Sequence, residues 1–160
     1  MIIDSLNLSV TSESVEDTFA LADTIASHVK SGDCLLLSGD LGAGKTHFAK
    51  GFAEALNIQE QIVSPTFSLA NVYNSGRLEF IHFDLYRLSD ASELEDIDFY
   101  ALTESEAVCL IEWGEKFIEE MPDDYLQITI EKISETTRLF SFTEHGCRSH
   151  TLLQEIFTGK

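Results

Sequence analysis

Positive charge is what this chain has least of: ten Lys and Arg stand against 28 Asp and Glu, leaving a net charge of −18 and an isoelectric point near 4.4. A direct grip on nucleic acid needs clustered Lys and Arg to neutralise phosphates, and an anionic membrane surface attracts the same residues. The composition excludes both as primary partners and favours a small-molecule ligand or a basic protein. Proline occurs only at 65 and 122, and there is no repeat, low-complexity tract or Pro/Gly/Ser linker, so nothing marks a boundary in the 160 residues. Cysteine is confined to Cys34, Cys109 and Cys147, with no C-x-x-C spacing. An odd count with two members in apolar runs points to buried thiols in a reducing compartment, not to disulfides or a zinc site. The opening MIIDSLNLSV lacks the basic and apolar regions of a secretory signal, and no apolar run approaches the ~20 residues of a membrane helix. A cytoplasmic location and no membrane are expected.

Hydrophobic residues make up 44% of the chain, enough to build a core. Val15, Phe19, Ala22, Ile25, Ala26 and Val29 recur at helical spacing, predicting a helix over 11–32 with a Ser or Thr cap near 11–14 and a stop at Gly32. Residues 34–38 (CLLLS) and 107–111 (AVCLI) are wholly apolar, as in strands buried on both faces. A helix is expected over 46–56. Strands over 67–73 and 77–84 are expected to meet at the turn-forming triplet Asn74-Ser75-Gly76. Short helices fit 93–97 and 115–121, the latter stopped by Pro122. Alternation at Leu126, Ile128 and Ile130 and at Phe140 and Phe142 predicts an antiparallel pair, with a surface helix over 149–157. The acidity is concentrated: between Asp84 and Glu135, 16 carboxylates face only Arg87, Lys116 and Lys132, so −13 of the net −18 falls there. That stretch reads either as a solvated face or as a docking face for a basic partner.

Residues 39–46, Gly39-Asp40-Leu41-Gly42-Ala43-Gly44-Lys45-Thr46, match G-x-x-x-x-G-K-[ST] in full, between a buried strand and a helix. Backbone amides and the helix N-terminus in such a loop form a positive cradle for phosphates. Lys45 is placed to reach β- and γ-phosphates, and the Thr46 hydroxyl to ligate Mg²⁺. A carboxylate for the metal and a group to hold the attacking water are then required. Asp84 and Glu112 stand at the ends of apolar strands, where α/β proteins put their ligands. Thr66, on the Pro-fixed loop Ser64-Pro65-Thr66-Phe67, stands where a γ-phosphate sensor would be. Trp113 follows Glu112 and either packs in the core or stacks near the nucleotide. His82 reads as a packed strand residue. Arg87 either aims at phosphate or anchors the Asp84 strand. For adenine, Ser14, Val15 and Thr18 at the first helix start, with Lys132 at a strand end, are the candidates. Neither [NT]-K-x-D nor D-x-x-G is present, against a GTPase, and there is no LSGGQ-like signature. An ATPase, a small-molecule kinase or a nucleotide-gated binding module remain.

The set GDLGAGKT at 39–46, SPTF at 64–67, HFDLYRL at 82–88 and IEW at 111–113 closely resembles the TsaE (YjeE) family of ATPases required for threonylcarbamoyladenosine formation in bacterial tRNA. The resemblance implies a P-loop NTPase-like three-layer α/β domain, with a central mostly parallel sheet and flanking antiparallel strands. It would span 1–160, with 145–160 a peripheral tail. It further implies Mg-dependent ATP hydrolysis in a complex with TsaD and TsaB, which modify the adenosine beside the anticodon, tRNA being reached only through those partners. By position Lys45 would hold phosphate, Thr46 and Glu112 the Mg²⁺, and Asp84 the metal's water shell or the attacking water. Thr66 would be the switch residue and Trp113 a neighbour of the site.

Overall fold

The structure is a computed structural model and describes residues 1–159. In chain order it contains β1 (Ile2–Asp4), β2 (Ser9–Ser12), α1 (Val15–His28), β3 (Cys34–Ser38), α2 (Lys45–Ala55), β4 (Ala70–Tyr73) and β5 (Phe80–Asp84). A 3₁₀ segment (Ala91–Ile97), α3 (Phe99–Thr103), β6 (Val108–Glu112) and a second 3₁₀ segment (Gly114–Glu120) follow. The chain continues through β7 (Tyr125–Lys132), β8 (Arg138–His145) and α4 (Cys147–Thr158).

All eight strands join one mixed sheet in the order β1-β2-β8-β7-β3-β6-β5-β4. The middle, β7-β3-β6-β5, is parallel, and antiparallel strands extend it on both sides. Every residue of β3, β5 and β6 is buried, because helices cover the central strands on both faces and their sequences are apolar on both. The period-two alternation of strands divides their side chains between two cores. Leu35, Leu37, Phe80, Val108 and Leu110 pack with α1, α2 and α4, and Leu36, Ile81, Phe83, Cys109 and Ile111 pack with α3 and the 3₁₀ segments. His82, Asp84 and Glu112 fall in the phase of the first set and so face α2.

Several element boundaries depart from the sequence expectation. The helix expected over 11–32 runs only over Val15–His28, because residues 9–12 pair with β8 as a strand. The Ser14 side chain caps it by accepting from the Asp17 amide, and Val29, not Gly32, closes it. Val15 and Phe19 are not in the core: Val15 is exposed, Phe19 is half-buried, and Leu21 takes the buried position. The β4–β5 hairpin is no tight turn at 74–76. Residues 66–68 form a turn, and 74–79 are drawn to the end of α2 by the Arg77 amide, which donates to Leu56 O at 2.7 Å. The described part of the 145–160 tail, 145–159, is not peripheral. Leu152 and Leu153 enter the core, Phe157 meets Phe142 edge-on, and Arg148 forks onto Asp33 beside β3.

Candidate functional site

Parallel registry fixes the site. Asp84 and Glu112 are cross-strand neighbours at the carboxyl ends of β5 and β6, and Leu37 of β3 is registered with Glu112 on the other side. The chain therefore leaves β3 beside these carboxylates and makes the 39–44 loop before entering α2. Gly39 is required by space: a Cβ there would lie 2.8 Å from the Ile130 carbonyl oxygen. Gly44, the residue before α2, has φ +109°, and no side chain caps the helix, so its first-turn amides are left for a ligand. The Ala43 amide alone folds back within the loop, onto Asp40 O at 3.0 Å.

Lys45 turns inward. Its Nζ donates to Gly39 O at 2.6 Å and lies 3.7 Å from the centroid of the Trp113 ring. Burial pulls this ammonium below the ordinary lysine pKa, while Glu112, Glu115, Asp84 and Asp40 pull the other way. Trp113 itself is held at φ +64°, a left-handed conformation unusual for a bulky residue, and its ring also packs on Tyr86.

The two acids are held differently. Thr66 Oγ1 donates to Asp84 Oδ2 at 3.0 Å, and the Tyr86 amide donates to Oδ1 at 3.0 Å. Ser64 in turn is 2.8 Å from the Thr66 hydroxyl. Glu112 Oε2 is 2.5 Å from Nε2 of the buried His82. Nδ1 of that ring has no hydrogen-bond partner. Glu112 Oε1 has no hydrogen-bond partner among the described residues.

Leu41, Gly42, Lys45, Thr46, Ser64, Thr66, Asp84, Glu112 and Trp113 line one cavity of about 290 Å³. A second, of about 310 Å³, is lined by Ser14, Val15, Thr18, Glu135, Thr136 and Phe140, and both share Gly44, His47 and Arg138. Each is near the lower end of the roughly 300–1,000 Å³ span of small-molecule sites. Gly39, Asp40 and Ala43 shape the loop but line neither cavity. Lys132, a candidate for the adenine, lines neither cavity; its Nζ lies 3.1 Å from the exposed Glu135 carboxylate in the hairpin turn. Arg87 also lines neither cavity, its guanidinium lying 4.9 Å from the exposed Phe67 ring. Sequence reasoning missed Arg138 and the contact of Glu112 with His82. Both depend on strand pairing that no local motif encodes.

Two acids and a hydroxyl form a sparse donor set, and no cluster of three His, Cys, Asp or Glu occurs among the described residues. That suits Mg²⁺, which keeps water and phosphate oxygens in its shell, and not a metal that needs a full protein cage.

Fold and site together define a mixed α/β protein that gathers a glycine-rich loop, a lysine and two strand-end acids at the carboxyl edge of a parallel core. The family model described as "Threonylcarbamoyl adenosine biosynthesis protein TsaE" matches residues 12–140. Among curated proteins, the tRNA threonylcarbamoyladenosine biosynthesis protein TsaE of Bacillus subtilis is 43% identical over 141 residues, covering 88% of each chain. The Treponema pallidum protein of the same name is 39% identical over 127 residues, 79% of this chain and 93% of that one. The crystal structure of YdiB from Bacillus subtilis superposes with a TM-score of 0.80 at 38% identity, covering 95% of both chains. This chain belongs to the TsaE family.

Proposed function

We propose that the protein is a P-loop ATPase, Mg-dependent, that serves the formation of threonylcarbamoyladenosine in tRNA. The observation that carries this reading is convergence: Lys45, Thr46, Asp84, Glu112 and the uncapped start of α2 all border one cavity. The triphosphate lies along the 39–46 loop, its charge met by amides and by the Lys45 ammonium, which leaves Gly39 O and the Trp113 face for phosphate. The adenosine occupies the adjoining cavity against Ser14, Val15 and Thr18. Thr46 and Glu112 would hold Mg²⁺, and Asp84 would steady its water shell or the attacking water. When bound, the ion neutralises charge developing on the transferred phosphoryl group. Thr66, bonded to Asp84, senses the γ-phosphate and couples it to the 64–67 loop. His82 keeps Glu112 aimed by occupying one of its oxygens.

The partners in this reading are TsaD and TsaB. ATP hydrolysis drives or resets their complex, and tRNA is contacted only by them, as suits a surface this negative. Turnover is slow alone and faster in the complex. The small-molecule kinase reading rests on Arg87 and the chain length; the Arg87 guanidinium lies over Phe67 and lines neither cavity, which favours the ATPase reading. Phosphate release and calorimetric ATP binding test the proposal: Lys45→Ala is expected to lose both while its circular dichroism is unchanged. Normal turnover in that variant ends the assignment. Co-purification of TsaD and TsaB with ATP present tests the pathway, and a reconstituted complex that modifies tRNA equally well without this protein would refute it.

A further inference from the structure

Arg138 is the first residue of β8, and it stands at the seam of the two cavities. Its guanidinium is locked in place by main-chain carbonyls. Nε donates to Ala43 O of the phosphate loop at 2.8 Å, and Nη1 donates to Ser134 O at 2.7 Å and Thr137 O at 3.2 Å. With a longer contact from Nη1 to Glu135 O at 3.4 Å, four carbonyls on two segments fix the plane of the group, and Nη2 has no hydrogen-bond partner among the described residues.

Of the four arginines, Arg77 donates to the Ala26 carbonyl, Arg87 lies over Phe67, Arg148 is forked onto Asp33, and only Arg138 lines the two cavities. Like Arg77 and Arg87, it forms no ion pair among the described residues. A rigid cation facing the seam, with donors to spare, has the chemistry of a phosphate ligand.

We propose that Arg138 is a second cation of the nucleotide site, supplied by this chain. It positions the loop through the Ala43 carbonyl and binds the phosphate nearest the nucleoside through Nη2. The inference rests on the nucleotide reading above and fixes which phosphate each cation meets. Lys45 lies on the Asp84 and Glu112 side, where the terminal phosphates belong, and Ser14, Val15 and Thr18 lie on the other. Arg138 falls between them. It is therefore a binding and positioning residue and not an arginine finger at the γ-phosphate.

Calorimetric titration of ADP and of ATP, without metal, into wild type, Arg138→Gln, Arg138→Lys and Lys45→Ala tests this. Gln keeps a donor for Ala43 O and removes the charge. Arg138→Gln is expected to weaken ADP and ATP by the same factor, on the order of tenfold to a hundredfold, because both carry the contacted phosphate. Arg138→Lys recovers part of the loss, whereas Lys45→Ala weakens ATP more than ADP. ADP affinity of Arg138→Gln within twofold of wild type overturns the proposal, as does a loss confined to ATP. Thermal melts of each variant report folding. Should Arg138→Gln fail to fold, Arg138→Lys decides: ADP binding within about tenfold of wild type supports the charge role, and complete loss in a folded protein reduces Arg138 to a brace. If wild type binds neither nucleotide, the ATPase reading itself fails. If wild type binds and the variant is unaffected, only this inference does.

Discussion

Replacing Arg148 with alanine strands a buried carboxylate. The Asp33 side chain is 4% exposed, and Arg148 Nε and Nη2 each approach one of its oxygens at 2.8 Å. The hydrogen bond to Asp33 is the main cause holding the Arg148 guanidinium above its ordinary pKa. Removing one partner of a fully buried pair costs about 3–5 kcal/mol. Here the cost is smaller, because Arg148 is 29% exposed and Asp33 still accepts the Lys30 amide at 2.8 Å. We expect about 2–3 kcal/mol. For a chain of this size each kcal/mol lowers Tm by about 2–4 °C, so far-ultraviolet circular dichroism is expected to show a fall of roughly 5–10 °C at pH 7. The cause is then checked by adding Asp33→Asn, which removes the stranded charge and leaves an oxygen for the Lys30 amide. Most of the lost stability is expected to return. A single-variant Tm within 2 °C of wild type, or no recovery in the double variant, would refute the reasoning.

Three further outcomes are expected. Gly39→Ala places a methyl 2.8 Å from Ile130 O, so it is expected to lower Tm and reduce ATP affinity together, and an unchanged titration would show that the loop yields freely. Burial pushes the Cys109 thiol up to about 12 and Cys34 well above its ordinary value, while Cys147 is exposed. Mass spectrometry after alkylation at pH 8 is expected to find only Cys147 labelled in the native protein and all three in denaturant. Because the unfolded chain ionises its thiols from about pH 9 while burial holds Cys109 back to about 12 and raises Cys34 as well, the two buried thiols also make stability fall as pH rises above about 9. Glu112→Gln is expected to keep ATP binding within a few-fold and lose Mg-dependent phosphate release, and retained turnover would remove Glu112 from the metal site.

The residues that border the candidate site were largely legible in the sequence, and the contacts that hold them were not. Gly39–Thr46 stands out because phosphate binding dictates residue types at fixed spacing along a few residues. Asp84 and Glu112 were visible because fully apolar runs mark buried strands and show where they end. Thr11 and Ser12 read as the start of the helix because they resemble a helix cap locally, and only the distant β8 makes them the end of the Ser9–Ser12 strand. Lys132 was placed at the adenine because a basic strand end looks available, and its neighbour Glu135 was not weighed. Arg138 carried no local signal at all, since its meaning comes from Ala43, 95 positions away. The tail gave no hint of docking because Arg148 meets Asp33 only after the whole sheet has closed.

The strand order has a consequence for synthesis and assembly. β3 lies between β6 and β7, and β2 leans on β8, so neither early strand gains its neighbours on those sides until residues 108–145 exist. A polypeptide emerging amino end first exposes CLLLS and the Phe48 and Phe52 face of α2 with no sheet to receive them. Closure of such distant segments is slow, and the unpaired strand is sticky meanwhile. Fragments ending before β8 are thus expected to aggregate, whereas the longer product folds in one late, concerted step.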